Sequence, residues 1–159
     1  ADAIINRWPE EQIALLLKEY GEEPAAARIA RAIVARRSRQ PFRSTTDLAE
    51  HIASILPRGK THQATRTFQS LRIAVNAELE NLTRGLETIL PYLQHGGRLA
   101  VITFHSHEDR IVKTLFASFI EHGTCRMVEG GRGAIKPSAE EVERNPRARS
   151  AKLRVVEKQ

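Results

Sequence analysis

Residues Arg98 to Lys113, RLAVITFHSHEDRIVK, constrain this chain more than any other stretch, because an apolar run passes without a gap into a polar cluster and then into a helical pattern. The run Leu99 to Phe104 contains the β-branched Val101, Ile102 and Thr103 and follows a Gly96-Gly97 break, which predicts a strand. Its near-continuous apolar character predicts burial on both faces. Ile111, Val112, Leu115, Phe116, Phe119 and Ile120 then form a broad stripe at helical spacing. This arrangement sets His105, Ser106, Glu108, Asp109 and Arg110 at the carboxyl end of a strand, where open α/β sheets place their ligands. The simpler account is capping, with Ser106 accepting from the amide three residues on and Glu108 and Asp109 favouring the positive helix end. Capping leaves His105, His107 and Arg110 without a task.

Helical patterns precede that strand. Ile13, Leu16, Leu17 and Tyr20 recur at i, i+3, i+4 and i+7 between Pro9 and Gly21, and Ala26, Ile29, Ala30, Ile33 and Val34 repeat the pattern after Pro24. Ser44 with Asp47 reads as an N-cap leading to Leu48, Ile52 and Leu56, and Pro57-Arg58-Gly59 stops that helix. The next pattern spans residues 64–90, long enough that a bend is expected near Asn76 or Gly85. Its opening turn holds His62, Gln63, Thr65 and Arg66, with Arg72 farther along, and a helix N-terminus offers free amides to an anion. After the site helix come a short strand from Cys125, a candidate mobile loop over 130–136, a short helix capped by Ser138 and ended by Asn145-Pro146, and a last strand through Leu153, Val155 and Val156.

Charge narrows the partners. Lys and Arg total 25 against 19 acidic residues, a net charge of +6 in 159 residues. The excess gathers as Arg28, Arg31, Arg36, Arg37, Arg39 and Arg43 in one stretch and Arg144, Arg147, Arg149, Lys152 and Arg154 in another. Arginine's planar fork suits phosphate, so both clusters are candidate RNA contacts; the first is equally read as a solvated helix face. No apolar run approaches a membrane span, and with the single Cys125 an intracellular, cytoplasmic protein without internal disulfides is expected. Gly130-Gly131-Arg132-Gly133 is glycine-dense but does not follow a strand and open a helix, as a nucleotide fingerprint requires.

Three segments carry a resemblance. FHSHEDRIVK, HQATRTFQSLRIAVNAEL at 62–79 and KPSAEEVERNPRARSAKLRVVEK at 136–158 resemble the C-terminal half of the MraW/RsmH family, and the helical region from Pro9 to Leu56 resembles the insertion preceding them. The resemblance implies an α/β fold: the C-terminal portion of a class I, Rossmann-like methyltransferase sheet with a helical insertion subdomain at 1–60 and the remaining methyltransferase part at 61–159. It implies an S-adenosylmethionine-dependent enzyme acting on the N4 amine of a cytosine in small-subunit ribosomal RNA. The family's glycine-rich cofactor loop has no counterpart in this chain, so on this reading the cofactor contacts lie in an absent N-terminal half. His107 stands where the family usually has an apolar residue.

On that resemblance His105, Ser106 and Glu108 are candidate catalytic residues. Phe104, Arg66, Arg72, Arg110, Arg147, Arg149 and Lys152 are candidate substrate or RNA contacts. The expected partner is ribosomal RNA in the small subunit, with a homodimer or a complementing half also open, and no membrane. Two other readings stand beside this one: a non-catalytic RNA-binding or complementing chain, and, more remotely, a metal-dependent hydrolase built on His105, His107 and Asp109. The last is opposed by Arg110, whose fixed charge repels a nearby cation.

Overall fold

A computed structural model describes residues 1–59, 61–128 and 133–159, so part of the glycine-dense stretch and of the expected mobile loop, residues 130–132, lies outside the described residues. Two compact units divide the chain, Ala1–Glu78 and Leu79–Gln159. The expected boundary was at 60/61; it falls later because Ala64 and Leu71 are buried in the core of the first unit.

In the first unit α1 (Asp2–Arg7), α2 (Glu10–Gly21), α3 (Ala26–Arg37), α4 (Thr45–Ile55) and α5 (Thr65–Asn76) enclose Ile13, Leu17, Ile29, Ile33 and Ile52, all fully buried. The periodic apolar positions thus face one another, as their spacing requires. Helix α1 has no counterpart among the expected elements: it is short, and Ile4 and Ile5 alone mark its buried side. Ser44 caps α4 by accepting from the Asp47 amide at 3.1 Å. Gly21 ends α2 where the chain of α5 comes closest. A Cβ there would lie 2.9 Å from the Arg66 carbonyl oxygen and collide with the Ser70 hydroxyl.

The expected long helix over 64–90 is two helices, α5 and α6 (Glu78–Ile89), separated at Ala77, which takes the left-handed conformation at φ 48°. The break is therefore a full stop beside Asn76, while Gly85 stays inside α6.

The second unit continues from α6 through a 3-10 turn at Leu90–Tyr92 into β1 (Arg98–Thr103), α7 (Ser106–Glu121), β2 (Cys125–Met127), α8 (Ala139–Arg144), a second 3-10 turn at Pro146–Ser150 and β3 (Lys152–Lys158). The sheet order is β1-β3-β2, and both outer strands run antiparallel to β3. It follows that β1 and β2 run parallel to each other, joined by α7, with the last strand inserted between them.

One sheet face carries Leu99, Cys125 and Val156, buried with Leu86, Leu90, Val112 and Phe116. Its other face carries Ala100, Ile102, Leu153 and Val155, brought side by side by the register Ala100↔Val155 and Ile102↔Leu153. There Ile102 is 59% exposed and Ile135, bridged to Leu153, 52% exposed. The expectation that β1 is buried on both faces is corrected: its burial alternates, and the side that carries Arg98, Ala100 and Ile102 is exposed among the described residues. At one end of that open face Glu157 joins all three strands, accepting from Arg98 Nε at 3.1 Å and Arg126 Nε at 3.0 Å. The two guanidiniums hold its carboxyl below the ordinary range, Arg126 most strongly.

Because the α5 carbonyl that faces Gly21 is backbone and cannot move aside, Gly21→Ala is expected to destabilise the first unit by about 1 to 3 kcal/mol. Ala77→Gly, at a left-handed position, is expected to be neutral or stabilising. Urea melts of both variants check this pair of opposite signs.

Candidate functional site

At the end of β1 the chain turns directly into α7, and the turn is held by a reciprocal cap. His105 is the N-cap: its Nδ1 accepts from the Glu108 amide at 3.3 Å. In return Glu108 Oε2 accepts from the Phe104 and His105 amides at 2.8 and 3.2 Å. A ring nitrogen that accepts is unprotonated, so the remaining imidazole proton sits on Nε2, which lies 3.3 Å from Glu108 Oε1. This is the S/T-x-x-E capping arrangement with histidine in the first place. Ser106, the cap on the simpler account, is instead the first helical residue and is exposed, because His105 holds the extended backbone that the N-cap position needs.

Asp109, one residue beyond the cap, turns to the sheet. Its carboxylate accepts from Lys152 Nζ at 2.8 Å and from Arg154 Nε at 2.7 Å, and its side chain is 13% exposed. Those cations, Arg154 first, hold its carboxyl at about 2 against an ordinary 3.8. Lys152 was expected to reach RNA. It is instead half-engaged in tying β3 to α7, and on β3 it shares one face with Arg154 because strand residues two apart point the same way.

The remaining candidates fall into two sets. Phe104, Ser106 and Arg110 are exposed at the strand end, Ser106 and Arg110 one helical turn apart on α7, and Phe104 is 54% exposed. Arg147 and Arg149 are exposed on the 3-10 turn before β3. The other two belong to the first unit. Arg66 donates to the Glu22 carbonyl at 3.3 Å, beside a cavity of about 300 Å³ lined in part by His62 and Gln63. Arg72 is held in a two-point pair by Glu78, at 2.9 and 3.1 Å. Arg72 therefore spends its fork on the end of α5, a use invisible in sequence because the partner lies beyond the helix break.

The metal reading meets Asp109 already shared between two cations, so it could ligate only by giving up both. Among the described residues no group of three or more His, Cys, Asp or Glu side chains is placed to hold a metal. Cys125 is buried beside the sheet core, and burial pushes its thiol up, in keeping with a packing role. Among the described residues no helix is long and apolar enough to cross a membrane.

Comparison with known proteins bears on the whole chain. The model of the MraW methylase family matches residues 1–159. A ribosomal RNA small subunit methyltransferase H of Stenotrophomonas maltophilia (strain K279a) is 51% identical over 97% of this chain and 52% of its own length. Proteins of the same name in Thermomicrobium roseum and Dictyoglomus thermophilum are 47% and 46% identical over 99% and 98% of the chain. The chain spans about half the length of these curated relatives, 51% to 53% of each. Two expectations are corrected by these matches. The likeness is not confined to a C-terminal half of the family, and the fold is not assigned as merely the C-terminal portion of a class I sheet, since all 159 residues align to the family.

The Asp109 pair makes a prediction for acid. A carboxyl depressed in the fold contributes stability that is complete above its ordinary pKa and is lost as pH falls toward the folded value. The loss belongs between about pH 4 and 2 and is of order 2 kcal/mol. Asp109→Asn is expected to lower the melting temperature at pH 7 and to flatten this acid limb, read by thermal melts across that range.

Proposed function

The chain belongs to the MraW methylase family, and on that premise we propose that it serves an S-adenosylmethionine-dependent methyltransferase acting on the N4 amine of a cytosine in small-subunit ribosomal RNA. The observation that carries this reading is the match along the whole chain, at close to half identity, to relatives named as small-subunit ribosomal RNA methyltransferases. The charge balance of +6 and the exposed Arg147 and Arg149 agree with a polyanionic partner. The cell compartment that fits such a partner is the cytoplasm.

An enzyme that modifies a base must take it out of the stack and hold it by a face and an edge. The exposed Phe104 ring offers the face, the Ser106 hydroxyl a hydrogen bond to the edge, and Arg110 a cation for the neighbouring phosphate. His105 and Glu108 act through the backbone, fixing Phe104 and Ser106 at the mouth of β1 by their reciprocal cap. With Glu108 accepting from two amides, we assign these two as positioning residues. Arg66 and its cavity in the first unit are a second RNA contact on this reading.

S-adenosylmethionine, when bound, supplies the electrophilic methyl group. The turn between β1 and α7 is not a glycine-rich cradle for it: that turn has no glycine, and the Glu108 amide at the start of α7 is already taken by His105. That observation also favours a second reading, in which this chain binds ribosomal RNA and is completed by another polypeptide or a second copy of itself.

Two measurements test the proposal. With methyl-labelled S-adenosylmethionine and small-subunit particles, protein carrying this chain is expected to place label on cytosine N4. Ser106→Ala should slow single-turnover transfer by about tenfold or more, the factor that 1.4 kcal/mol represents, at an unchanged melting temperature. An unaltered rate would remove Ser106 from the site. Calorimetric titration of the 159-residue chain alone with the donor is expected to give no low-micromolar binding; saturation in that range would show that these residues do cradle it.

A further inference from the structure

The first arginine cluster divides into residues that hold the fold and residues that do not. Arg37 donates to the Ile5 carbonyl at 2.7 Å and to the Trp8 carbonyl, capping α1, and Arg31 lies 3.6 Å from Glu10. Arg36 is clamped: Asp47 accepts from its Nη2, and its guanidinium sits 4.2 Å above the centre of the Phe42 ring. Its Nη1 is buried and has no hydrogen-bond partner among the described residues. A buried charged donor without an acceptor is costly.

Beside it lies a cavity of about 430 Å³, between α3 and α4, lined by Ala32, Ala35, Arg36, Arg39, Gln40 and His51. Arg39 stands three residues after Arg36 and is exposed, as is Gln40. The C-terminal end of a helix ordinarily repels an anion. Here its carbonyls are engaged: Val34 and Ala35 accept from the Ser38 amide and hydroxyl, Arg36 from the Arg39 and Gln40 amides, and Ala32 bonds His51 Nε2 at 3.2 Å. The cavity is thus lined by one arginine already held in place, a second that is exposed, and an exposed glutamine.

We propose that this cavity is a phosphodiester site, receiving an RNA backbone phosphate between Arg36 and Arg39. The proposal rests on the RNA reading above and narrows the first arginine cluster, which sequence alone reads equally as a solvated face, to the two arginines that line one cavity. Arg36 supplies geometry, since stacking and Asp47 have already removed its freedom; Arg39 supplies net charge; Gln40 donates to a non-bridging oxygen.

The test uses the 159-residue chain and a small-subunit ribosomal RNA hairpin, with affinity measured by fluorescence anisotropy over a range of salt. Arg39→Gln is expected to weaken binding and flatten the plot of log affinity against log salt by about 0.7 to 0.9, one phosphate contact. The melting temperature should not move. Arg39→Gln with Gln40→Ala should weaken binding further at the same slope, while Arg28→Gln, exposed on the same helix away from the cavity, should leave the slope nearly unchanged. Inorganic phosphate at matched ionic strength should compete no better than chloride; preferential competition would mark a free-phosphate site and overturn the RNA assignment. A hairpin that binds wild type but keeps its slope in Arg39→Gln, while Arg147→Gln with Arg149→Gln flattens it, overturns this site and leaves the RNA reading standing. No binding by the wild-type chain at any salt overturns both.

Discussion

The carboxylate of Asp109 holds the second unit together in a way that apolar packing alone does not. Strand β3 enters the sheet last in sequence yet lies in its middle, so its register decides where β1 and β2 sit. Asp109 grips two alternate residues of that strand, Lys152 and Arg154, from the first turn of α7. A one-residue slip of β3 would turn both cations to the opposite face and leave a nearly buried carboxylate unpaired. Burial of Val156 against Val112 and Phe116 supplies the attraction; the ion pair selects the register. The same first turn carries the His105–Glu108 cap, so the geometry at the strand mouth and the placement of the central strand both descend from a single turn of chain at one helix end.

Arginine in the first unit shows how little a cluster of like charges says by itself. Arg37 closes the end of α1, Arg36 braces α3 against α4 through Asp47 and Phe42, and Arg72 caps the end of α5 through Glu78. These are structural tasks that use arginine's several donors and its flat face, and lysine would not replace it in them. The surplus of positive charge felt by a partner comes from members that remain exposed, Arg39 and Arg43 among them.

Local periodicity read well because it rests on local physics. Helices α2, α3 and α4, strand β1, the stripe of α7, the Ser138 cap and the last strand all follow from spacing, caps and breakers within a few residues of one another. What failed was non-local. Apolar Leu99 to Phe104 reads as buried on both sides, since composition does not reveal that Ile102 stays 59% exposed. The division after Glu78 was missed because the α5 residues Ala64 and Leu71 belong by contact, not by sequence, to the first core. His105, Ser106 and Glu108 stand together in one short run, but which of them caps the helix depends on backbone angles that residue types do not report. The Arg98–Glu157–Arg126 cluster left no trace at all, its members being separated by long stretches and joined only through strand pairing.

The open side of the sheet has a thermodynamic corollary. Ile102 and Ile135 stand largely in water, with Ala100, Leu153 and Val155 beside them, and the outer edge of β1 offers backbone donors and acceptors to solvent. Apolar surface of this kind contributes nothing to folding until it is covered, and whatever covers the folded form without binding the unfolded one adds RT ln(1 + [L]/Kd) to the apparent stability. A partner that covered this face would raise the melting temperature of this unit in step with its own concentration.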